Sequence, residues 1–286
     1  MLNLDSFHGQ SKADKADKVV RRWQPAPIIP ISALVHATAF AVVLLQSQWW
    51  PWVAGVVATN HLLIFCAVLM PRSRLLGPNL TRLPKAAILR REICLTFDDG
   101  PDPQVTPRVL DLLDRHGAKA SFFCVGEKAA SYPQLLAEIV RRGHSVENHS
   151  YGHSNLFSVY GLSRLRREIG FAQKALTTGS GGIPLFYRAP VGFRGLLLDR
   201  VLAEQGLRYV SWTRRGFDGV STDAMRVLQR LTHRLAAGDI LLMHDKDATD
   251  GEPTVMQVLP ALLDSIAALG LHSVSLPAAL RDESAA

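Results

Sequence analysis

Two carboxylates stand side by side where an apolar run ends: "LTFDDGPDPQ", residues 95–104, sets Asp98 and Asp99 ahead of a Gly-Pro break. Adjacent negative charges repel and weaken a strand, so this pair calls for a neutralising partner. A second pair, His149 and His153 in "HSYGH", lies four residues apart. That spacing lets two imidazoles converge on one ion, as on a helical turn. With an Asp from another strand end they make a facial His-His-carboxylate site, open to water and substrate and therefore catalytic rather than closed and structural. Nitrogen and oxygen donors without sulfur suit Zn²⁺, and Co²⁺, Mn²⁺, Ni²⁺ or Fe²⁺ accept the same set. Beside a divalent ion the two acids need not repel. One ligates, and the other stays free to take a proton from metal-bound water, whose pKa the ion lowers.

The elements that must position these groups follow a rhythm from residue 93 onward. Short apolar runs alternate with amphipathic stretches: "ICLTF" then "TPRVLDLLDRHG", "KASFFCV" then "YPQLLAEIVRRG", "HSVEN" then "GLSRLRREIGFAQKAL". After the Gly-rich turn "TTGSGG", "LFY" precedes "LLLDRVLAEQG", "RYVSWT" precedes "DAMRVLQRLTHRLAAG", "DILLM" precedes "TVMQVLPALLDSIAALG", and "LHSVSL" closes the series. Thr106 reads as an N-cap, Pro107 as the first helical residue and Gly117 as the stop. Strands separated by helices imply parallel βα units with right-handed crossovers, in a barrel or a doubly wound sheet of about seven strands. In such folds the active site gathers at the C-terminal strand ends. Those ends carry Asp98-Asp99, His149 and His153, Arg188, Asp218, and His244-Asp245. One site assembled from many loops explains the pattern.

Before the rhythm lie two apolar runs, 28–45 and 52–70, without Asp, Glu, Lys or Arg. Each is long enough to cross a bilayer core of about 30 Å. "QSQWWPW" between them, with Trp49, Trp50 and Trp52, suits an interfacial turn, so a helical hairpin is expected, with His36 and His61 packed neutral at the helix contact. The formal charge of +7 has a location. Residues 1–26 hold five Lys/Arg against three acids, 71–91 hold six and no acid, and 92–286 hold 21 against 22. The basic excess therefore flanks the apolar runs, and nucleic acid is excluded as a partner. Basic flanks on both sides of the hairpin place both ends, and residues 92–286, on the cytoplasmic face of an inner membrane. Cys66, Cys94 and Cys124 form no disulfide framework; each reads as a small buried hydrophobe, as in a reducing compartment. The expected organisation is a basic tail (1–26), two transmembrane helices (27–71), a basic juxtamembrane linker (72–91) and a catalytic domain (92–286).

"TFDDGP" (96–101), "HSYGH" (149–153), "RAPVG" (188–192) and "LMH" (242–244) resemble, in order and approximate spacing, the motifs of the polysaccharide deacetylases, the NodB-homology group. The resemblance covers about residues 91–280. It implies an irregular (β/α) barrel and metal-dependent removal of acyl groups, usually N-acetyl, from sugars. It further implies Asp98 as general base, Asp99, His149 and His153 as ligands of one divalent ion, Arg188 as the residue steadying the base, and His244 as the general acid. Asp218, in "RRGFDG", matches the acid that orients His244. Val191, Gly192 and Leu242 fall in substrate-contacting motifs, with a backbone N–H near Val191 helping to bind the oxyanion. Where the family commonly reads Asp-x-x-Asp-Trp, this chain has Arg215 for the first Asp and Gly219 for the Trp, which leaves open an enlarged acyl pocket, a different acyl group, or replacement of the aromatic wall by Trp212 or Phe217. The implied substrate is an acylated amino sugar in a glycan or a lipid-linked precursor at the membrane. An extracytoplasmic enzyme acting on peptidoglycan or exopolysaccharide is the runner-up. The same centre suits an O-acyl ester or a formamide, and a silent glycan-binding relative would keep only the fold. Of the remaining groups, Asp245 and Glu147 read as supporting residues, Arg214 and Arg215 as surface ion pairs or contacts for a phosphate, and His116, His144, His233 and His272 as solvent-facing.

Overall fold

The computed structural model describes residues 22–247 and 251–284, so the basic tail falls outside it except for residues 22–26. Helices α1 (Ile28–Leu45) and α2 (Trp50–Leu69) form the expected hairpin. They pair through an Asn60–Ser32 hydrogen bond of 2.8 Å and an edge-on contact of the His36 and His61 rings. Both are long and apolar enough to cross a membrane, and almost none of their residues are buried within the protein. Cys66 lies exposed on α2, unlike the buried Cys94 and Cys124, because few residues of that helix are buried among the described residues.

The rest of the chain is an irregular parallel barrel. Its strands are β1 (Glu92–Asp98), β2 (Ala120–Cys124), β3 (Ser145–Asn148), β4 (Phe186–Tyr187), β5 (Arg208–Tyr209), β6 (Arg214–Arg215), β7 (Ile240–His244) and β8 (His272–Ser273). The order is β5-β4-β3-β2-β1-β7-β6, with β8 pairing to the start of β1. The helices are α3 (Lys85–Leu89), α4 (Thr106–Arg115), α5 (Gly126–Ser131), α6 (Pro133–Arg141), α7 (Leu162–Ser180), α8 (Leu198–Gln205), α9 (Ala224–Thr232), α10 (Thr254–Ala268) and α11 (Leu276–Ala279). β1 and β2 are buried at every residue, as expected of strands covered on both faces. Phe97, Phe122, Leu110, Leu113, Leu241 and Leu262 meet in the main core between the sheet and the helices.

Local chemistry explains where the boundaries differ from the pattern reading. Thr106 is inside α4 rather than capping it. Asp102 takes that duty, its Oδ1 accepting from the amides of Gln104 and Val105, and Thr106 Oγ1 instead donates to Asp245 at 2.6 Å. α7 runs on through "TTGS" and stops at Gly181, which is left-handed. Gly179 belongs in that helix because a Cβ there would come within 2.6 Å of Leu136 in α6. The run "RYVSWT" does not make one strand. Leu80 pairs with Val210 beyond β5, and the chain then crosses to β7 as β6, with Thr213 N–H donating to Ile240 O. The segment 72–91 thus packs into the barrel, with Leu76, Leu83 and Ala87 fully buried. Arg82 and Asn79 add bonds to Ala237 O and to Ser211.

Candidate active site

Register brings the reactive groups to one level. Asp98 closes β1 and pairs directly with His244, the last residue of β7. On the other side the strand ends step across through Cys124, Asn148 and Tyr187, so the loops bearing His149 and Arg188 start from the same rim. Asp98, Asp99, His149, His153, Val191, Gly192, Trp212, Leu242 and His244 line a single pocket of about 250 Å³. Arg188 and Asp218 stand behind it, each bonded to a lining residue.

Asp99, His149 and His153 present ligand atoms that all lie within 4.8 Å of one another. His149 Nε2 is 3.4 Å and His153 Nε2 3.0 Å from Asp99 Oδ1. Donors on a tetrahedral ion with bonds of about 2.1 Å stand about 3.4 Å apart, so the set fits a small divalent cation. The two histidines converge from a loop rather than a helix, with Ser150 and His153 both left-handed. His149 Nδ1 lies 2.8 Å from Arg188 O; donating there leaves Nε2 bare for an ion. Burial disfavours a charged Asp99, but the facing imidazoles of His149 and His153 outweigh it and hold the carboxyl well below the usual range.

Asp98 is turned the other way. Its Oδ1 accepts from Arg188 at 2.6 Å, and its Oδ2 stands 3.8 Å from His149, beyond hydrogen-bond reach. Arg188 is completely buried, and all three of its nitrogens are bonded: it also donates to Thr96 Oγ1, Val210 O and Ser211 O, and it lies over the Phe123 ring. Asp218 grips His244 twice, accepting from its backbone N–H at 2.7 Å and facing Nδ1 at 3.0 Å. Burial alone would lower the His244 pKa; the Asp218 hydrogen bond and charge raise it above the ordinary imidazole value.

Several groups take places that the sequence reading left open or set differently. Trp212 is in the pocket wall, whereas Phe217 is outside it, against Arg215 and Arg230. A Cβ on Gly219 would stand 3.1 Å from His244 Nδ1, so the missing side chain leaves the His244 ring uncovered. Glu147 is buried and accepts from the Leu185 and Phe186 amides, tying β3 to β4 rather than orienting a metal histidine. Burial pushes Asp245 up to about 8, and its carboxyl packs beneath Gly100. His144 is buried, not solvent-facing, because its ring fills a slot beside Phe122 and its Nδ1 accepts from the Ala120 amide. His116, His233 and His272 are exposed as expected. Lys246, Asn155 and Val220 also line the pocket, and Lys246 Nζ donates to Asp99 Oδ2 at 2.8 Å. Nothing in the pattern singled out these three. Lys246 sits only two residues past His244, and that proximity was the available signal.

The polysaccharide deacetylase family model matches residues 87–210. A peptidoglycan-N-acetylglucosamine deacetylase of Bacillus cereus is 31% identical over 66% of this chain and 68% of its own length. A chitooligosaccharide deacetylase of Azorhizobium caulinodans is 34% identical over 62% of this chain and 84% of its own. Among solved structures, a peptidoglycan N-acetylglucosamine deacetylase in complex with an N-hydroxybenzamide superposes with a TM-score of 0.64 at 28% identity, over 70% of this chain and 91% of that one. Fold, motif order and relatives agree, and the chain belongs to the polysaccharide deacetylase family of hydrolases, enzymes that cleave carbon–nitrogen bonds of N-acetyl sugars.

Proposed function

We propose that this protein is a membrane-anchored, metal-dependent deacetylase that removes the N-acetyl group from an amino sugar in a glycan or a lipid-linked glycan precursor. The observation that carries the reading is the shared level of three groups: the Asp99-His149-His153 donor set, the carboxylate of Asp98, and the imidazole of His244. In this reading Asp99, His149 and His153 hold one divalent ion, most simply Zn²⁺. Bound there, the ion supplies Lewis acidity that makes water nucleophilic near neutral pH and polarises the acyl oxygen. Asp98 takes the proton from the attacking water through Oδ2, because Arg188 occupies Oδ1. His244, kept protonated by Asp218, gives a proton to the departing amine from Nε2. Val191 is held left-handed at the pocket edge, where its amide can face the developing oxyanion, and Gly192, Trp212 and Leu242 wall the acyl group.

Membrane attachment is supported by the two apolar helices and by the position of Pro71. Pro71 follows α2 closely and sits against Gly192, where an added Cβ would come within 3.1 Å of it. Residues 27–71 then act as the anchor, and residues 92–286 as the catalytic unit joined through 72–91. An anchor leading straight into the pocket wall favours a substrate at the membrane surface over a distant polymer. The protein should release acetate from a chitooligosaccharide, lose that activity on chelation and regain it with Zn²⁺ or Co²⁺. Activity that survives exhaustive chelation would remove the metal from the account.

A further inference from the structure

Four cationic side chains stand in or behind the catalytic pocket, and three of them are committed. Arg188 bonds through all three nitrogens to Asp98, Thr96 and two carbonyls. Lys246 bonds to Asp99, and Lys128 bonds to the Asp99 carbonyl. Arg215 is different. It lines the pocket together with Asp98, Asp99 and His244, yet among the described residues it forms no ion pair. Its sequence neighbour Arg214 has each nitrogen bonded, to Asp239 and to the carbonyls of His233 and Arg234.

The Arg215 guanidinium lies over two rings, 5.2 Å from the centre of Trp212 and 4.8 Å from that of Phe217. Its Nε is buried without a hydrogen-bond partner. Leaving a buried donor of a charged group unmet is costly, and aromatic faces hold the planar fork without satisfying its N–H groups. Burial lowers the pKa of Arg215, while Asp98, Asp218 and Asp99 oppose that shift from a distance. A rigid, partly desolvated guanidinium with free donors is built to accept a bidentate oxyanion. We propose that Arg215 is a specificity residue that receives an anionic group, a phosphate or a carboxylate, carried by the same amino sugar whose acyl group is hydrolysed. The proposal rests on the deacetylase reading and narrows its substrate class to acidic or phosphorylated amino sugars.

The test uses the full-length protein in detergent with Zn²⁺ and four probes: methyl N-acetylglucosaminide, N-acetylglucosamine 1-phosphate, N-acetylglucosamine 6-phosphate and N-acetylmuramic acid. At least one anionic probe should bind about tenfold more tightly than the neutral glycoside by calorimetry, the scale of one charge-assisted hydrogen bond. Arg215→Gln should abolish that preference and Arg215→Lys should restore part of it. The phosphate and carboxylate arms tell the two sources of charge apart. Equal binding of all four probes, or a preference that survives in Arg215→Gln, overturns the role of Arg215. Acetate release, measured in parallel, judges the deacetylase reading separately. A preference should appear there chiefly in KM.

Discussion

Asp218 spends both carboxylate oxygens on one residue, the backbone and ring of His244. That double hold fixes the imidazole and keeps its pKa above the ordinary value despite burial. A general acid must be protonated, so the alkaline limb of kcat/KM should follow His244. Asp218→Asn removes the charge that raises this pKa, and the limb should move to lower pH, with activity at pH 8 down by about tenfold or more. An unmoved limb in the pH–rate profile would detach His244 from proton donation. At this scale much was legible in the sequence. Acidic and imidazole groups at successive strand ends are a rare pattern, and residues 98, 99, 149, 153, 188, 218 and 244 do meet around one pocket. What stayed hidden depends on reach. Lys246 arrives at Asp99 through a long flexible stem, and His144 turns inward to fill a slot that only tertiary packing creates.

Secondary elements were legible in proportion to their length. β1, α4, α7 and α10 carry long periodic or continuous apolar signals and stand where those signals put them, give or take their caps. β6 is two arginines with no strand signature, formed only because β7 offers an edge. The segment 72–91 is similar. Its basic residues read as a membrane linker, but Leu76, Leu83 and Ala87 are core residues and Leu80 fills the gap between β5 and β6. Truncating one buried Leu to Ala costs about 2–5 kcal/mol, against a typical domain stability of about 5–15 kcal/mol. A fragment starting at residue 92 should therefore fail to show a cooperative thermal transition, whereas one starting at residue 71 should unfold cooperatively. Equal melting temperatures for the two fragments would return 72–91 to the role of a spacer.

At the scale of the whole molecule, charge and hydropathy divide the chain more sharply than sequence length does. Positive charge concentrates before residue 27 and between residues 71 and 91, while 92–286 is nearly neutral. We propose from the positive-inside rule that, with the hairpin in a membrane, this asymmetry would place both of its ends, and the barrel with them, on the cytoplasmic side. Alkaline phosphatase fused after residue 286 should then be inactive in cells, since it needs the oxidising side of the membrane. Strong activity would reverse the orientation and put polymeric wall glycans within reach. Pro71 against Gly192 ties the end of the apolar hairpin to the pocket wall, so with the proposed anchoring the catalytic mouth would lie near the bilayer in either orientation.

The division of labour between two neighbouring acids is the centre of the account: Asp99 faces the histidines, and Asp98 faces Arg188 with one oxygen left over. Asp98→Asn keeps the size and the hydrogen bond but removes the base. Bound metal and acetate release should be measured on the same sample of that variant. The account predicts one ion per chain, as in the unmodified protein, with turnover lower by about 10²–10⁴-fold. Undiminished acetate release, or loss of the ion, would contradict it.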